Sequence, residues 1–395
     1  MHQDLHTEIS SFKQAWEDEG LSKRIGELLV LPVQKRVAYL YDTPDSSTFR
    51  YRVYNMIECL RSQPETGWRA TWFASSEIST LRSILDQISV LVLTRVRFSR
   101  AVSDLITSAR NKGIRVLMDC DDLVFDLRYA QLVSENNNQT FSDELHLDHW
   151  YAYVGRLNAT AVQCDGGITT NAFLAEKLEK VCGGKVSIIP NFLNKRQEEL
   201  SRKLLAEKSR HGFRGNGRIM IGYFSGSPTH DKDFQIALHS IIQIMDENQN
   251  VDVRIVGFMN SYDLLDRFGK RVNKISLQDW LNLQIKTAEV DIAIAPLQLN
   301  DFTHCKSELK FFEAAAVGCY CVASRSYTFE RAIETEEEGI LASNGNWYDA
   351  LKQAINVVSN PETYQRQALR TAEKVYSRYG WDKNTDAIVA ALSVG

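Results

Sequence analysis

The chain has 395 residues, 44% hydrophobic and 24% charged, with a formal net charge of -4. This length exceeds one ordinary domain and fits two, and the composition is that of a soluble globular protein with sizeable cores. The slight acidity argues against nucleic acid as a partner, no apolar run nears the roughly 18–20 residues of a membrane span, and the seven cysteines form no CxxC pair, a pattern of a reducing cytoplasm.

From the N-terminus, residues 1–20 are acidic and polar, unlike a secretory signal. Residues 9–29 read as an amphipathic helix docked on the first lobe, with Phe12, Trp16, Leu21 and Ile25 as packing residues. Strands are predicted at 36–41 (RVAYLY), 70–73, 90–94 (VLVLT), 115–118, 167–170 and 186–189, with helices at 52–61 and 101–112. Residues 195–218 are polar and strongly charged, with Gly212, Gly215 and Gly217 near the end, and read as a linker. A second series follows: strands at 219–224, 253–256, 291–295 (DIAIA) and 320–323, helices at 234–245, 361–379 and 383–392. Strands alternating with helices predict parallel sheets covered on both faces. The implied division is 1–195 for the first Rossmann-like lobe, 196–218 for the linker, 219–375 for the second lobe, and 376–395 for a C-terminal helix packing back on the first. In such sheets ligands bind beyond the carboxyl ends of the strands.

Two clusters follow strands of the second lobe. The first is Ser225-Gly226-Ser227-Pro228-Thr229-His230-Asp231-Lys232-Asp233-Phe234. A Gly-containing turn before a helix presents N–H groups to phosphate, and Lys232 adds a mobile positive charge. An ordinary turn capped by Ser and Asp accounts for the same residues. The second is Cys305-Lys306-Ser307-Glu308-Leu309-Lys310-Phe311-Phe312-Glu313, with Ser307 as the expected N-cap, Glu308 as the first helical residue and Gly318 as the stop. Leu309, Phe312 and Ala316 form an apolar stripe. Lys306, Lys310 and Glu313 form a polar one, suited to a diphosphate at the helix start and a ribose deeper, or to a surface Lys310–Glu313 ion pair.

Here the chain resembles the family-four (group 1) retaining glycosyltransferases, of GT-B fold, in which two Rossmann-like domains face each other across a cleft. Glu313-Ala-Ala-Ala-Val-Gly318 is similar to the second half of that family's Glu-x7-Glu element. The resemblance implies that Glu313 binds the donor ribose and that the backbone at Lys306, Ser307 and Glu308 binds donor phosphates. The family's Arg and Lys fall on Ser227 and Lys232, so only the lysine is kept. The first Glu falls on Cys305. A bacterial polysaccharide-type subgroup carries turns similar to Ser225–Phe234 and Pro296–Glu313, so Cys305 is read as a subgroup feature. Gly226 and Lys310 complete the expected donor site.

In the first lobe the likeness lies in Phe49-Arg50-Tyr51-Arg52-Val53, Thr94-Arg95, and Asp119-Cys120-Asp121-Asp122, with Arg50, Arg52 and Arg95 expected at the acceptor side or cleft. Asp119-x-Asp121 is also what a metal-dependent transferase would show. The Lys-rich second lobe is better explained without metal, so no cofactor is expected. Asp121, Asp122, His230 and Asp231 are the catalytic candidates, with Asp121 or Asp231 as base or nucleophile. The resemblance implies a nucleotide-sugar donor and a glycan or lipid-linked acceptor, in surface polysaccharide assembly at the cytoplasmic side of a membrane. A nucleotide-sugar epimerase on the same fold and a non-catalytic scaffold are the alternatives.

Overall fold

The computed structural model describes residues 9, 12–30, 35–136, 144–213, 217–226, 231–258 and 263–393. Among them, twelve strands form two six-stranded sheets in which every ladder is parallel. The first holds β1 (Lys35–Tyr41), β2 (Trp68–Ala74), β3 (Val90–Thr94), β4 (Arg115–Asp119), β5 (Gly166–Thr169) and β6 (Val186–Ile188), in the order β2-β1-β3-β4-β5-β6. The second holds β7 (Ile219–Ser225), β8 (Val251–Gly257), β9 (Val272–Ile275), β10 (Ile292–Ala295), β11 (Tyr320–Ser324) and β12 (Gly339–Ala342), in the order β12-β11-β10-β7-β8-β9.

Central strands such as β3 and β10 are buried along their whole length, as continuous apolar runs require. The two strands missed from sequence, β9 and β12, are four-residue edge strands. Asn273 and Lys274 of β9 point to solvent, so the period-2 pattern has no buried face to display. Strand order reverses between β1 and β3 in one sheet and between β7 and β10 in the other. Those reversals open the crevices that doubly wound sheets use for ligands. The pairing of Ile221 with Ile292 and of Tyr223 with Ile294 sets the ends of β7 and β10 side by side.

Residues 195–210 are not an irregular linker. Lys195–Arg210 is a 16-residue helix whose N-cap, Asn194, accepts from the Gln197 N–H at 2.8 Å. It buries Leu204 and Leu205, and Lys208 donates to the Val290 carbonyl. Most of its charge lies on a solvated face, with Glu198 and Lys208 turned inward. Farther on, the Pro361–Tyr379 helix lies on the second lobe, where the Tyr364 hydroxyl donates to the Asp291 and Gly318 carbonyls. The chain then returns. The Thr385–Ser393 helix packs on the first lobe, with Arg115 donating to the Ala391 carbonyl.

The N-terminal segment also differs from expectation. Among the described residues of 9–29, only Leu21–Leu29 is helical. Trp16 packs on Phe49 of the first lobe, but Phe12 lies edge-on against Trp280 and Gln14 accepts from the Trp280 indole, both on the second. Glu19, just before Gly20, accepts from Arg61 and from the Trp72 indole. Among the described residues no helix is long and apolar enough to cross a membrane.

Candidate functional site at the strand ends

At the second-lobe reversal, β7 leads through Ser225 and Gly226 into the Asp231–Glu247 helix, and β10 leads through Pro296 into the Leu309–Ala316 helix. Asp233 holds the two segments together by accepting from the Gln298 N–H at 3.0 Å. Asp233, in the first turn of one helix, also lies near Lys310 in the first turn of the other, and first-turn N–H groups lack intrahelical acceptors.

The Leu309–Ala316 helix starts later than predicted. Glu308 occupies the N-cap position without a side-chain cap, because its carboxylate is buried and accepts from the Tyr379 hydroxyl at 2.7 Å. Burial pushes that carboxyl above its ordinary range. Ser307 therefore does not cap the helix, and its Oγ is buried with no hydrogen-bond partner. Lys306 precedes the helix, with its ammonium 4.9 Å from the Phe302 ring centre. Gly318 ends the element at φ 76°, as predicted.

Lys310 makes no surface ion pair with Glu313. Its Nζ is buried, has no hydrogen-bond partner, and sits 5.0 Å from the Tyr223 ring centre. Burial pulls its pKa down to about 8; nearby Asp233 opposes the shift and Lys306 adds to it. Native structures rarely leave such groups unsatisfied. Ser307 Oγ and Lys310 Nζ lie three residues apart at one helix start.

Glu313 faces the other lobe. Its Oε1 accepts from the Tyr51 hydroxyl and from Gln197 Nε2 at 2.8 Å, with Arg50 at 3.6 Å. Arg50 is buried: it donates to the Ser46 carbonyl, Gln197 Oε1 and the Tyr51 hydroxyl, and lies over the Tyr51 and Trp280 rings. It joins the lobes and is not open to an acceptor. Arg50–Tyr54 is a π-helical turn closed by Asn55 N–H donating to the Arg50 carbonyl, a form that recurs at functional sites.

Arg52, two residues on, points the opposite way. It is fully buried in the first lobe, where it grips Asp119 through two hydrogen bonds of 2.9 and 3.0 Å and donates to the Ile189 carbonyl. Its expected place at the cleft is thus corrected: it is a core residue. Asp119 is equally buried, and burial pushes its carboxyl up to about 6 against the pull of Arg52. Asp119 pairs with Arg52, and Asp121 pairs with Arg95. Among the described residues no group of three or more His, Cys, Asp or Glu is placed to hold a metal ion.

Arg95 follows β3 with φ 47° and donates to Asp121 at 2.6 Å and to Asp122 at 2.5 Å. These three form a part-exposed cluster at the strand ends near the first-lobe reversal. Lys232 reaches across to the Glu135 carbonyl at 2.9 Å. Gly226 is exposed, with open space where a Cβ would stand. Ser227, His230 and the Asp231 side chain lie outside the described residues.

Cys305 also crosses between lobes. With Phe302 it belongs to the buried apolar cluster of the first lobe, and its carbonyl accepts from Asn171 at 2.8 Å. Nearby, Lys177 pairs with Asp301 at 2.7 Å, and Tyr129 donates to the same carboxylate. Sequence reasoning missed Tyr51, Gln197, Asn171 and Lys177. Tyr51 lay between two arginines with opposite fates, and Gln197 lay inside the supposed linker.

Residues 218–360 match the sequence family described as glycosyl transferases group 1. No curated protein matches the chain in sequence. Among solved structures, Anabaena HepE in complex with UDP and glucose is similar over 91% of this chain and 100% of its own, at 12% identity and TM-score 0.58. Sucrose-phosphate synthase from Thermosynechococcus elongatus is similar over 90% and 97%, at 16% identity and TM-score 0.57. WaaG, a glycosyltransferase involved in lipopolysaccharide biosynthesis, is similar over 91% and 100%, at 12% identity and TM-score 0.55. The fold is GT-B.

Proposed function

We propose that the protein is a glycosyltransferase that binds a nucleotide-sugar donor between the Asp231–Glu247 and Leu309–Ala316 helix starts and passes the sugar to a glycan or lipid-linked acceptor. The observation that carries this reading is the buried, unpartnered Lys310 Nζ, beside the Ser307 hydroxyl at the start of the Leu309–Ala316 helix. A diphosphate supplies the charge and the acceptor oxygens that both groups lack. As the donor bond breaks, negative charge builds on the leaving diphosphate. Lys310, Lys306 and the first-turn amides stabilise it where it develops, with Lys232 released from Glu135 to join them.

The acceptor is proposed to lie against Arg95, Asp121 and Asp122. Arg95 holds both carboxylates in place, and one of them is proposed to orient an acceptor hydroxyl. Asp121 and Asp231 remain the two candidates for base or nucleophile, and Asn substitutions at each, read as kcat, separate them. Retention of configuration, and a place in surface polysaccharide assembly at the cytoplasmic face of a membrane, follow the same resemblance and are part of the proposal. So is independence from metal. Asp119 is committed to Arg52, and Asp121 and Asp122 to Arg95, so excess EDTA is expected to leave activity unchanged. Loss restored by Mn²⁺ would reject that point.

The test is calorimetry of UDP, GDP, ADP and CDP with wild type and with Lys310→Met. At least one nucleotide should bind wild type, and the variant should lose about 1.5–3 kcal/mol, the range for hydrogen bonds to charged groups. Equal binding by a folded Lys310→Met rejects the site. A second reading, a binding scaffold without catalysis, is favoured by one observation: Cys305 is buried in the first-lobe core and offers no carboxylate to a sugar. Slow donor hydrolysis without acceptor decides for the enzyme. Product analysis separates transfer from epimerisation.

A further inference from the structure

We infer that Tyr51, with Gln197, is a positioning residue for the donor ribose, and that it acts across the lobe boundary through Glu313. This inference rests on the donor reading above. Both donors engage the same oxygen: Tyr51 and Gln197 converge on Glu313 Oε1, and Oε2 accepts no hydrogen bond among the described residues. The Glu313 side chain retains 16% of its exposure, so the second oxygen is the one left for a ligand. A carboxylate held by one oxygen has its other lone pairs aimed in a fixed direction. Such orientation lets a single acceptor discriminate a hydroxyl from a hydrogen.

The holding groups do not belong to the second-lobe sheet. Tyr51 lies in the π-helical turn after β1, and Gln197 lies in the first turn of the Lys195–Arg210 helix. They are themselves fixed. Arg50 donates to both, at 2.8 Å to the Tyr51 hydroxyl and 2.9 Å to Gln197 Oε1, and Gln197 is fully buried. Gln284 secures the Glu313 backbone by donating to its carbonyl at 2.8 Å. Ribose recognition by Glu313 is therefore tied to contact between the lobes.

The experiment measures binding of UDP, GDP and ADP, each beside its 2′-deoxy and 3′-deoxy forms, to wild type, Tyr51→Phe, Glu313→Gln and the double variant. Wild type should prefer the ribose form by about tenfold or more, the scale of one hydrogen bond to a charged group. Tyr51→Phe keeps the ring and should cut that preference to about threefold or less, and it should have no further effect in the Glu313→Gln background. Gln197→Met applies the same test through the second donor if Tyr51→Phe does not fold. A Tyr51→Phe protein that binds ribose and deoxyribose forms more weakly by the same factor has lost only structure, and overturns the inference. Additive effects in the double variant overturn it too. If Glu313→Gln leaves the ribose preference intact, the ribose role of Glu313 fails first and this inference with it. If no nucleotide binds wild type, the donor reading itself falls.

Discussion

Two arginines two residues apart have opposite surroundings, and the difference sets what each substitution does. Arg52 is sealed with Asp119, so Arg52→Leu leaves an uncompensated buried carboxylate and should cost about 3–5 kcal/mol of stability in a denaturant titration. Arg50 shares its bonds between lobes, and its carboxylate partner Glu313, at 3.6 Å, keeps part of its exposure. At Lys310 the expectation reverses. An unpartnered buried ammonium destabilises the empty fold, so Lys310→Met should raise the melting temperature of the free protein while weakening nucleotide binding. The pH dependence follows from its pKa of about 8. The ammonium is charged below that pH and is lost as pH rises through it, so nucleotide affinity should fall between about pH 7 and pH 9. Unfolded lysine keeps its proton to about 10.4, so the empty protein should gain stability over about pH 8–10. Sequence marked Lys306, Ser307, Lys310 and Glu313 as one group because helical spacing is local. It did not show that Lys310 lacks a partner or that Glu313 has three, since those facts depend on residues distant in the chain, more than a hundred positions away for Glu313.

At the level of elements, the long apolar strands were readable because burial on both faces leaves an unbroken run. The edge strands β9 and β12 were not, and the Lys195–Arg210 helix was read as a linker because its polar face outweighs Leu204 and Leu205 in composition. The helix start was misplaced by one residue because Glu308, a good first-turn residue by charge, turns inward to Tyr379. Gly318 was readable as a stop, and its environment sharpens the prediction. A Cβ there would stand 2.8 Å from Leu205 and 2.9 Å from Phe213, on backbone already at φ 76°. Gly318→Ala should destabilise by roughly 1–3 kcal/mol, checked by thermal or urea unfolding.

For the whole molecule, the two lobes are joined at several separate places: the N-terminal strap on Trp280, the Arg50–Tyr51–Glu313 network, Lys177 with Asp301, and the returning C-terminal helix. The Lys195–Arg210 helix is packed on the second lobe, so bending between lobes is expected at 192–194 and 380–384, which flank the helices that cross. Lys177→Met should shift the free protein toward a more extended envelope in small-angle scattering, and nucleotide should restore compaction. An envelope identical in all states would speak against lobe movement. The buried ammonium of Lys310 has one more outcome at this scale. A fold that is strained when empty and relieved when filled has a lifetime set by its substrate, because protection from unfolding grows as the logarithm of ligand concentration over its dissociation constant. Cells short of the nucleotide would then clear this protein faster than cells rich in it, and digestion by a broad protease with and without nucleotide should display the same dependence in vitro.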